Sequence, residues 1–385
     1  MNYFPVCRHS VKWKLKYFLW IFKHFFIKEY SRKNIKIFEK NLKSIFEKDI
    51  IAVNSFRSVF SATLRYLKQH GKSKILFPET YFLPLLKTAE LEGFTVEFYK
   101  ETDNIKRFIF SLNKKINEFS PDIILLSHHY GKEFTFSEEM KKLCRENNIV
   151  ILEDMAHSFG LKKCAGNFSF LSFGTGKDLC GPGGGAVLFD KSEFADFENY
   201  IKSDLIINNN ELKDFLPSLA EIIFSSFPLF QLAVFPAIFL LCIFNYRKYS
   251  EIFNKIDSYV DNKNKKISAF QAKILNNQLK KYQNSLDLRM EYGKIYSRRL
   301  KNIIPNNTWL CACYKCRNEK HRDELIKFLI KRGIDVRFDY LCHKKITQNH
   351  IIYLPSHHQL TLKQVKKICS IINLFESRKK YNISD

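Results

Sequence analysis

From about residue 34 to residue 190 the chain repeats one pattern: an amphipathic stretch, a turn, and a short apolar run. Ile37, Phe38, Leu42, Ile45 and Phe46 form the apolar side of a helix that leads to the run Ile50–Val53. A helix from about Ser58 to Gln69 precedes a strand at Lys74–Phe77, and a helix around Leu83–Glu92 precedes one near Val96–Tyr99. Further strands are expected at Ile123–Ser127, Ile149–Glu153, Phe168–Phe173 and Ala186–Phe189, with a helix near Ser137–Asn147. Strands this short and apolar, separated by helices, need cover on both faces, which predicts an α/β fold around a mostly parallel sheet. Ligands of such sheets gather beyond the C-terminal ends of the strands. Asp154 and Ser55 each follow a strand there.

With 385 residues the chain can bury one large core and a second, smaller one. Its net charge of +24 implies attraction to something anionic: phosphate-bearing substrates, a membrane surface or nucleic acid. No compact Arg-rich block or zinc-finger spacing supports nucleic acid. The ten cysteines are irregularly placed in a long chain, which suits a reducing cytoplasm better than a disulfide framework. Cys311, Cys313 and Cys316 lack the paired C-x-x-C knuckles of a zinc site, so Cys311 and Cys313 are expected as small hydrophobes on one strand face and no metal is assigned. Lys23 and His24 interrupt the N-terminal apolar run and no small-residue cleavage site follows, unlike a cleaved signal.

Two segments stand outside the repeating pattern. In 11–28, Leu15, Phe18, Leu19, Phe22, Phe25 and Phe26 fall on one helical stripe, with Lys12, Lys16 and Lys23 roughly opposite. That suits an interfacial membrane helix, or a helix packed on its own protein or on a dimer mate. Residues 222–246 contain no charged side chain, and Glu221 and Arg247 bracket the run. The length would allow a membrane span, but Pro228, Pro236 and Gln231 oppose a clean one, and cytoplasmic sequence on both sides forbids a single crossing. A re-entrant hairpin bent near the prolines, or a buried helical pair at a subunit interface, satisfies both facts; with 11–28 as a second signal, membrane attachment through an insertion at about 215–250 is favoured. The remainder, 265–385, is expected as a small α+β domain: a long helix Ser268–Lys301, a strand Thr308–Tyr314, a helix Lys320–Arg332, a strand Asp335–Phe338 and a closing helix Leu362–Glu376. The domains then run 1–33, 34–264 and 265–385.

The chemistry concentrates in two places. Asp154 stands at a strand end three residues before His157; a carboxylate there could bind a metal, act as a base or pair with a cationic ring nitrogen. S-F-G-T-G-K at Ser172–Lys177 is followed by G-P-G-G-G at Gly181–Gly185. A lysine among glycines lets ammonium and backbone approach a phosphate or a carbonyl. A nucleotide P-loop is excluded, because Leu171 stands where its first glycine belongs and Asp178 where its Ser/Thr belongs.

ILEDMAHSFG followed by FLSFGTGKDLCGPGGGAVL resembles the DegT/DnrJ/StrS-type sugar aminotransferases, pyridoxal-phosphate enzymes of fold type I. AVNSFRSVFSATLRYL is similar to that family's phosphate-binding strand–turn–helix, FPETYFLPLL to its P-x-x-x-F segment and SHHYGK to its H-x-Y-G turn. NKKISAFQAKILNNQL is similar to its N-x-[RK]-M-S-x-x-Q-A helix and YLPSHHQLT to its closing segment, all in order. The resemblance implies a three-layer α/β/α large domain plus a small C-terminal α+β domain. It implies that Lys177 forms the Schiff base with pyridoxal 5'-phosphate and shuttles the proton. Asp154 would keep the pyridine nitrogen protonated, His157 would bond near the phenolic oxygen, and Phe82 would stack on the ring. Ser172, with Ser55 or Arg57 and the helix N-terminal amides, would hold the phosphate. Asn264 would reach the neighbouring subunit's phosphate, implying a homodimer with shared sites.

The implied reaction moves an amino group, with glutamate as the expected donor, onto a keto-sugar linked to a nucleotide or lipid, for surface polysaccharide synthesis near the cytoplasmic leaflet. Relatives that dehydrate sugars replace the lysine with histidine, and Lys177 argues against that reading. A non-catalytic, membrane-associated scaffold is the alternative of another class. Phe56 stands where the family's phosphate turn usually carries glycine, a change Arg57 could offset by charge. The stretch between Gly185 and Asn264 is longer than usual and that between Tyr340 and Leu354 shorter.

Overall fold

A computed structural model describes residues 5–7, 15–23, 33–102, 105–134, 136–206, 216, 220–221, 223–225, 229–253, 263–339, 341–343 and 350–381. In it the apolar runs form β1 (Asp49–Val53), β2 (Lys74–Pro78), β3 (Thr80–Tyr81), β4 (Thr95–Tyr99), β5 (Ile123–Ser127), β6 (Val150–Asp154), β7 (Phe168–Ser172) and β8 (Gly185–Phe189). All but β3 join one sheet in the order β1-β8-β7-β6-β5-β2-β4. The run from β4 to β7 is parallel, and β8 lies antiparallel to both β1 and β7. Every residue of β5 and β6 is buried, as a strand covered on both faces requires. On one face lie Val59, Phe60, Leu64 and Leu67 of the helix Phe56–Gln69, and on the other Phe38 and Leu42 of the helix Lys33–Phe46.

The structure adds a helix at Ile105–Phe119 between β4 and β5, where no helix was expected; Phe108, Leu112 and Ile116 bury its inner face. The long helix expected from Ser268 is two, Ala269–Leu279 and Tyr282–Arg299, broken at Lys280–Lys281. The first half packs with the helix Lys33–Phe46 in the large core rather than in the C-terminal unit. The strand expected from Thr308 starts later, as β9 (Ala312–Lys315), because Trp309 takes φ +53° and its amide bonds back to Asn306 Oδ1. A Cβ on Gly293 would lie 2.2 Å from the Trp309 ring, so this helical glycine makes room for it.

β10 (Arg337–Phe338), β12 (Ile351–Leu354) and β9 form a three-stranded antiparallel sheet, while β11 (Cys342–His343) pairs with β3. The helices Tyr282–Arg299, Glu319–Ile330 and Leu362–Tyr381 pack with the three-stranded sheet in a separate core. The charge-free run contributes to this C-terminal core: Phe230, Phe235, Ile238 and Cys242 are buried in it. There the chain makes a π-helical turn, Phe230–Val234, continues as the α-helix Phe235–Phe244, and resumes as Tyr246–Phe253 after Asn245. Pro236 follows directly on the π-helical turn, a widened turn of the kind that accommodates a residue without a backbone N–H. Among the described residues no helix is long and apolar enough to cross a membrane. The bend expected at Pro228 lies outside the described residues.

Of the 11–28 segment, Leu15–Phe22 is helical. Tyr17 is buried and its hydroxyl donates to Asn277 Oδ1 at 2.9 Å, and Lys273 Nζ lies 4.6 Å from the Trp20 ring centre. This helix therefore docks on the helix Ala269–Leu279, while Leu19 and Phe22 stay more than half exposed. Among the described residues the ten cysteines form no disulfide.

Candidate active site

β6 ends on Asp154, which is 8% exposed and accepts from the Ala156 amide at 2.9 Å. Beneath it, Glu153 accepts from Ser169 Oγ and from the amides of Ala165 and Gly166, with His128 Nε2 at 2.8 Å. Both Glu153 and His128 are buried, so this network fixes the strand end from below. Burial holds the Asp154 carboxyl above its ordinary range, opposed by the Ala156 amide, Lys177 and His128.

Lys177, on the turn after β7, lies within electrostatic range of Asp154. Gly181 donates to the Phe173 carbonyl at 2.7 Å, and Phe173 donates to Gly184 at 2.9 Å, which closes the loop carrying the lysine. Half-buried Lys177 has its ammonium pulled down to about 8 by desolvation, against the raising effects of Cys311 and Asp154 and with a lowering one from Arg337. On the order of a tenth of it is then a neutral, nucleophilic amine at neutral pH, far more than for an ordinary lysine. His157 is buried and held well below its ordinary value by desolvation, then by Lys177, His129 and Arg337, so its ring is neutral. Asp154, His157 and Lys177 thus share one electrostatic neighbourhood.

The second half of the site surrounds the start of the helix Phe56–Gln69. Ser55 is its extended N-cap (φ −149°) and its side chain makes no capping bond to the helix. Ser55 bridges Gly184, and Ser172 at the end of β7 pairs with Gly185, which brings both serines to one turn. A Cβ on Gly185 would stand 2.5 Å from the Phe56 nitrogen, so only glycine lets β8 approach this helix end. Phe56 itself turns inward: its buried ring meets Phe170 edge-on at 6.1 Å. As the first helical residue it has no positive φ, so the turn does not need the glycine that the sequence comparison asks for. Arg57 and Phe82 face each other, guanidinium carbon to ring centre 5.8 Å. Gln271, in a capping box with Ser268, donates to Asn54 Oδ1 at 3.0 Å and to the Pro182 carbonyl at 2.9 Å, tying the phosphate turn to the glycine turn.

Asn264 lies beside this turn in sequence register: the Asn54 amide donates to the Lys265 carbonyl at 2.9 Å. Its side chain is buried, and neither of its amide atoms has a hydrogen-bond partner among the described residues. The resemblance did not assign Cys311, Arg337 or Arg289. Cys311 and Arg337 come from the C-terminal unit and act electrostatically on Lys177, while Arg289 pairs with Asp178. Nothing in their local sequence marks them; only the closure of the C-terminal sheet over the strand ends brings them in. Tyr130, another, holds a left-handed φ of +60° and donates to buried Asp339 at 2.7 Å. His129 bonds the Thr80 carbonyl and, with His128, serves the framework.

A strand-end carboxylate, a lysine with depressed basicity and a serine-lined helix N-terminus on this sheet define a pyridoxal-phosphate enzyme of fold type I. The residues fit that group: a Ser55 side chain not spent on capping its helix, with the helix amides, for a phosphate, and a buried carboxylate for a ring nitrogen. The chain belongs to the DegT/DnrJ/EryC1/StrS aminotransferase family, whose sequence model matches residues 13–210 and 246–373. It is accordingly a pyridoxal-phosphate-dependent aminotransferase.

Its fold is similar to that of Helicobacter pylori PseC, an aminotransferase involved in the biosynthesis of pseudoaminic acid, at 18% identity and TM-score 0.71, covering 97% of this chain and 100% of that one. It is also similar to the sugar aminotransferase Spr1654 of Streptococcus pneumoniae in its PLP form, described as putative (15% identity, TM-score 0.69, 95% and 97% covered). A third similar structure is E. coli GDP-4-keto-6-deoxy-D-mannose-3-dehydratase with bound hydrated PLP (15%, TM-score 0.67, 96% and 100% covered). No curated protein matches the chain.

When bound, the cofactor supplies an aldehyde for the amine and a ring that accepts electrons from the substrate's carbon. The protein supplies the rest. Lys177 would provide the amine and carry a proton at Nζ, Asp154 would offer a carboxylate to the ring nitrogen, and neutral His157 would donate or accept one hydrogen bond without adding charge.

Proposed function

We propose that Lys177, Asp154, His157, Ser172, Phe82, Ser55, Arg57 and Asn264 hold the cofactor, and that the enzyme transfers an amino group from glutamate to a keto-sugar carried on a nucleotide or lipid. The product feeds surface polysaccharide synthesis, and the protein works as a homodimer at the cytoplasmic face of a membrane. The observation that carries the reading is Lys177 itself: an amine near pKa 8 that feels the charge of the Asp154 carboxylate suits a group that binds an aldehyde and then moves a proton. The orphaned amide of Asn264 supports shared sites, since a phosphate from a neighbouring subunit would satisfy it.

The dehydratase reading is disfavoured by lysine at 177. Of the two departures that favour the scaffold reading, the residue at Phe56 and the shortened stretch before Leu354, the first weighs less with the Phe56 ring turned inward onto Phe170. The test is a panel of keto-sugars assayed for glutamate consumption. Holoenzyme that shows the lysine-bound cofactor's visible absorption and consumes glutamate with one sugar bears the reading out. Wild-type protein that never develops that absorption returns the scaffold reading.

A further inference from the structure

Helix 229–244 has two apolar faces, and among the described residues only one of them is packed. Phe230, Phe235, Ile238 and Cys242 are buried in the C-terminal core. The opposite face carries Leu229, Leu232, Ala233, Pro236, Leu240 and Phe244, spaced as one helical stripe, all of them exposed. Leu232 is 76%, Leu240 54% and Phe244 79% exposed, and no charged residue lies between them. Isolated exposed apolar side chains are ordinary; a contiguous stripe of this kind marks an interaction surface. The family match omits residues 211–245, so the stripe lies almost wholly outside the part of the chain shared with the family.

The surroundings say what covers it. Arg247 and exposed Lys248 follow directly, and Lys327 and Lys331 lie within electrostatic reach of Cys242 on the same helix. Lys327 Nζ sits 4.2 Å from the Tyr246 ring centre, which places an amphipathic aromatic and a cation together at the end of the stripe. Of the nearby carboxylates, Glu251 is paired with Arg247, Asp323 with Arg322, and Asp335 is buried, so lysine charge is in excess at the surface. In a two-fold interface this face would meet its own copy and set lysines against lysines. An anionic bilayer instead presents hydrocarbon to the stripe and phosphate to the lysines. At 1.5 Å per residue the helix is about 24 Å long, and its other face is spent on the protein core, so it lies in the interface plane and does not cross.

Resting on the membrane location proposed above, we infer that the exposed face of 229–244, with Lys248, Lys327 and Lys331 beside it, is a monotopic docking surface for a bilayer of anionic lipid. The experiment is co-sedimentation of full-length holoenzyme with phosphatidylglycerol/phosphatidylcholine vesicles and with phosphatidylcholine alone. Wild type is expected to bind the anionic vesicles at least tenfold better. Leu232→Ser/Leu240→Ser/Phe244→Ser should stay in the supernatant with its cofactor absorption intact, and Lys248→Gln/Lys327→Gln/Lys331→Gln should lose the preference for anionic lipid. Equal binding by wild type and the serine variant overturns the assignment of this face while leaving the location standing. Wild type bound to no vesicle overturns both. A wild type that ignores vesicles and is a larger oligomer than the serine variant gives the face to a second copy.

Discussion

The carboxylate of Asp178, next in sequence to Lys177, is ion-paired with Arg289 of the helix Tyr282–Arg299, and only 2% and 5% of the two side chains are exposed. The loop that carries the lysine is thereby fastened to the first helix of the C-terminal unit. Burial raises the Asp178 carboxyl, and Arg289 is the main force keeping it charged. Removing one partner strands the other charge, which costs about 3–5 kcal/mol. Arg289→Met and Asp178→Leu should each lose that much in chemical denaturation, and the paired replacement much less. Additive losses would show that the pair is not coupled.

The same pair sets a pH prediction. Asp178→Asn leaves the Arg289 cation near Lys177, whose ammonium already also faces Asp154, Cys311 and Arg337. The Lys177 value should then fall below about 8. In the apoenzyme, the pH profile of Lys177 acylation, followed by peptide mapping, should shift to lower pH in Asp178→Asn and return toward wild type in Asp178→Asn/Arg289→Gln. A shift to higher pH would refute the electrostatic account.

Lys177→Ala should abolish the visible absorption of lysine-bound cofactor, and Lys366→Ala, exposed on the C-terminal helix, should not. In wild type, the rate at which this absorption appears on mixing apoenzyme and cofactor should rise with pH and level off above about 8, because the amine must be neutral to attack.

Asp154→Asn keeps the shape and removes the charge. Activity should fall on the order of 10²-fold or more, as when one preorganised electrostatic partner is lost. Thermal stability should change little or rise, since burial already opposes this carboxylate. Loss of stability instead of activity would make Asp154 a framework residue.

Glu153 differs from its neighbour. Despite burial, His128, Ser169 and the Gly166 amide hold its carboxyl below the ordinary value. A depressed carboxyl stabilises the fold above its unfolded value, and the contribution disappears as pH falls through the folded one. The stability advantage of wild type over Glu153→Gln, about 1–3 kcal/mol at neutral pH for a buried hydrogen-bond network, should therefore shrink on acidification. An advantage that grows at low pH would reverse the sign of this linkage.

What the sequence determined was local. A strand that is apolar throughout has to be a covered strand, so β5 and β6 were legible, and with them the position of Asp154 at a strand end. The lysine–glycine turn and the start of a helix at Ser268 were legible because their chemistry lies within a few residues. The helix Ile105–Phe119 was missed: its apolar positions are spread among lysines and become a face only when Phe108, Leu112 and Ile116 meet the sheet. Phe56 read as a defect in the phosphate turn, and its inward ring depends on Phe170, 114 positions later. Arg289, Cys311 and Arg337 gain meaning only when the C-terminal unit closes over the strand ends, for electrostatic reach depends on distance in space. The charge-free run shows the limit most clearly. Composition alone gave it two apolar sides; only the packing of Phe235, Ile238 and Cys242 into a core decided which side is spent and which remains to be covered.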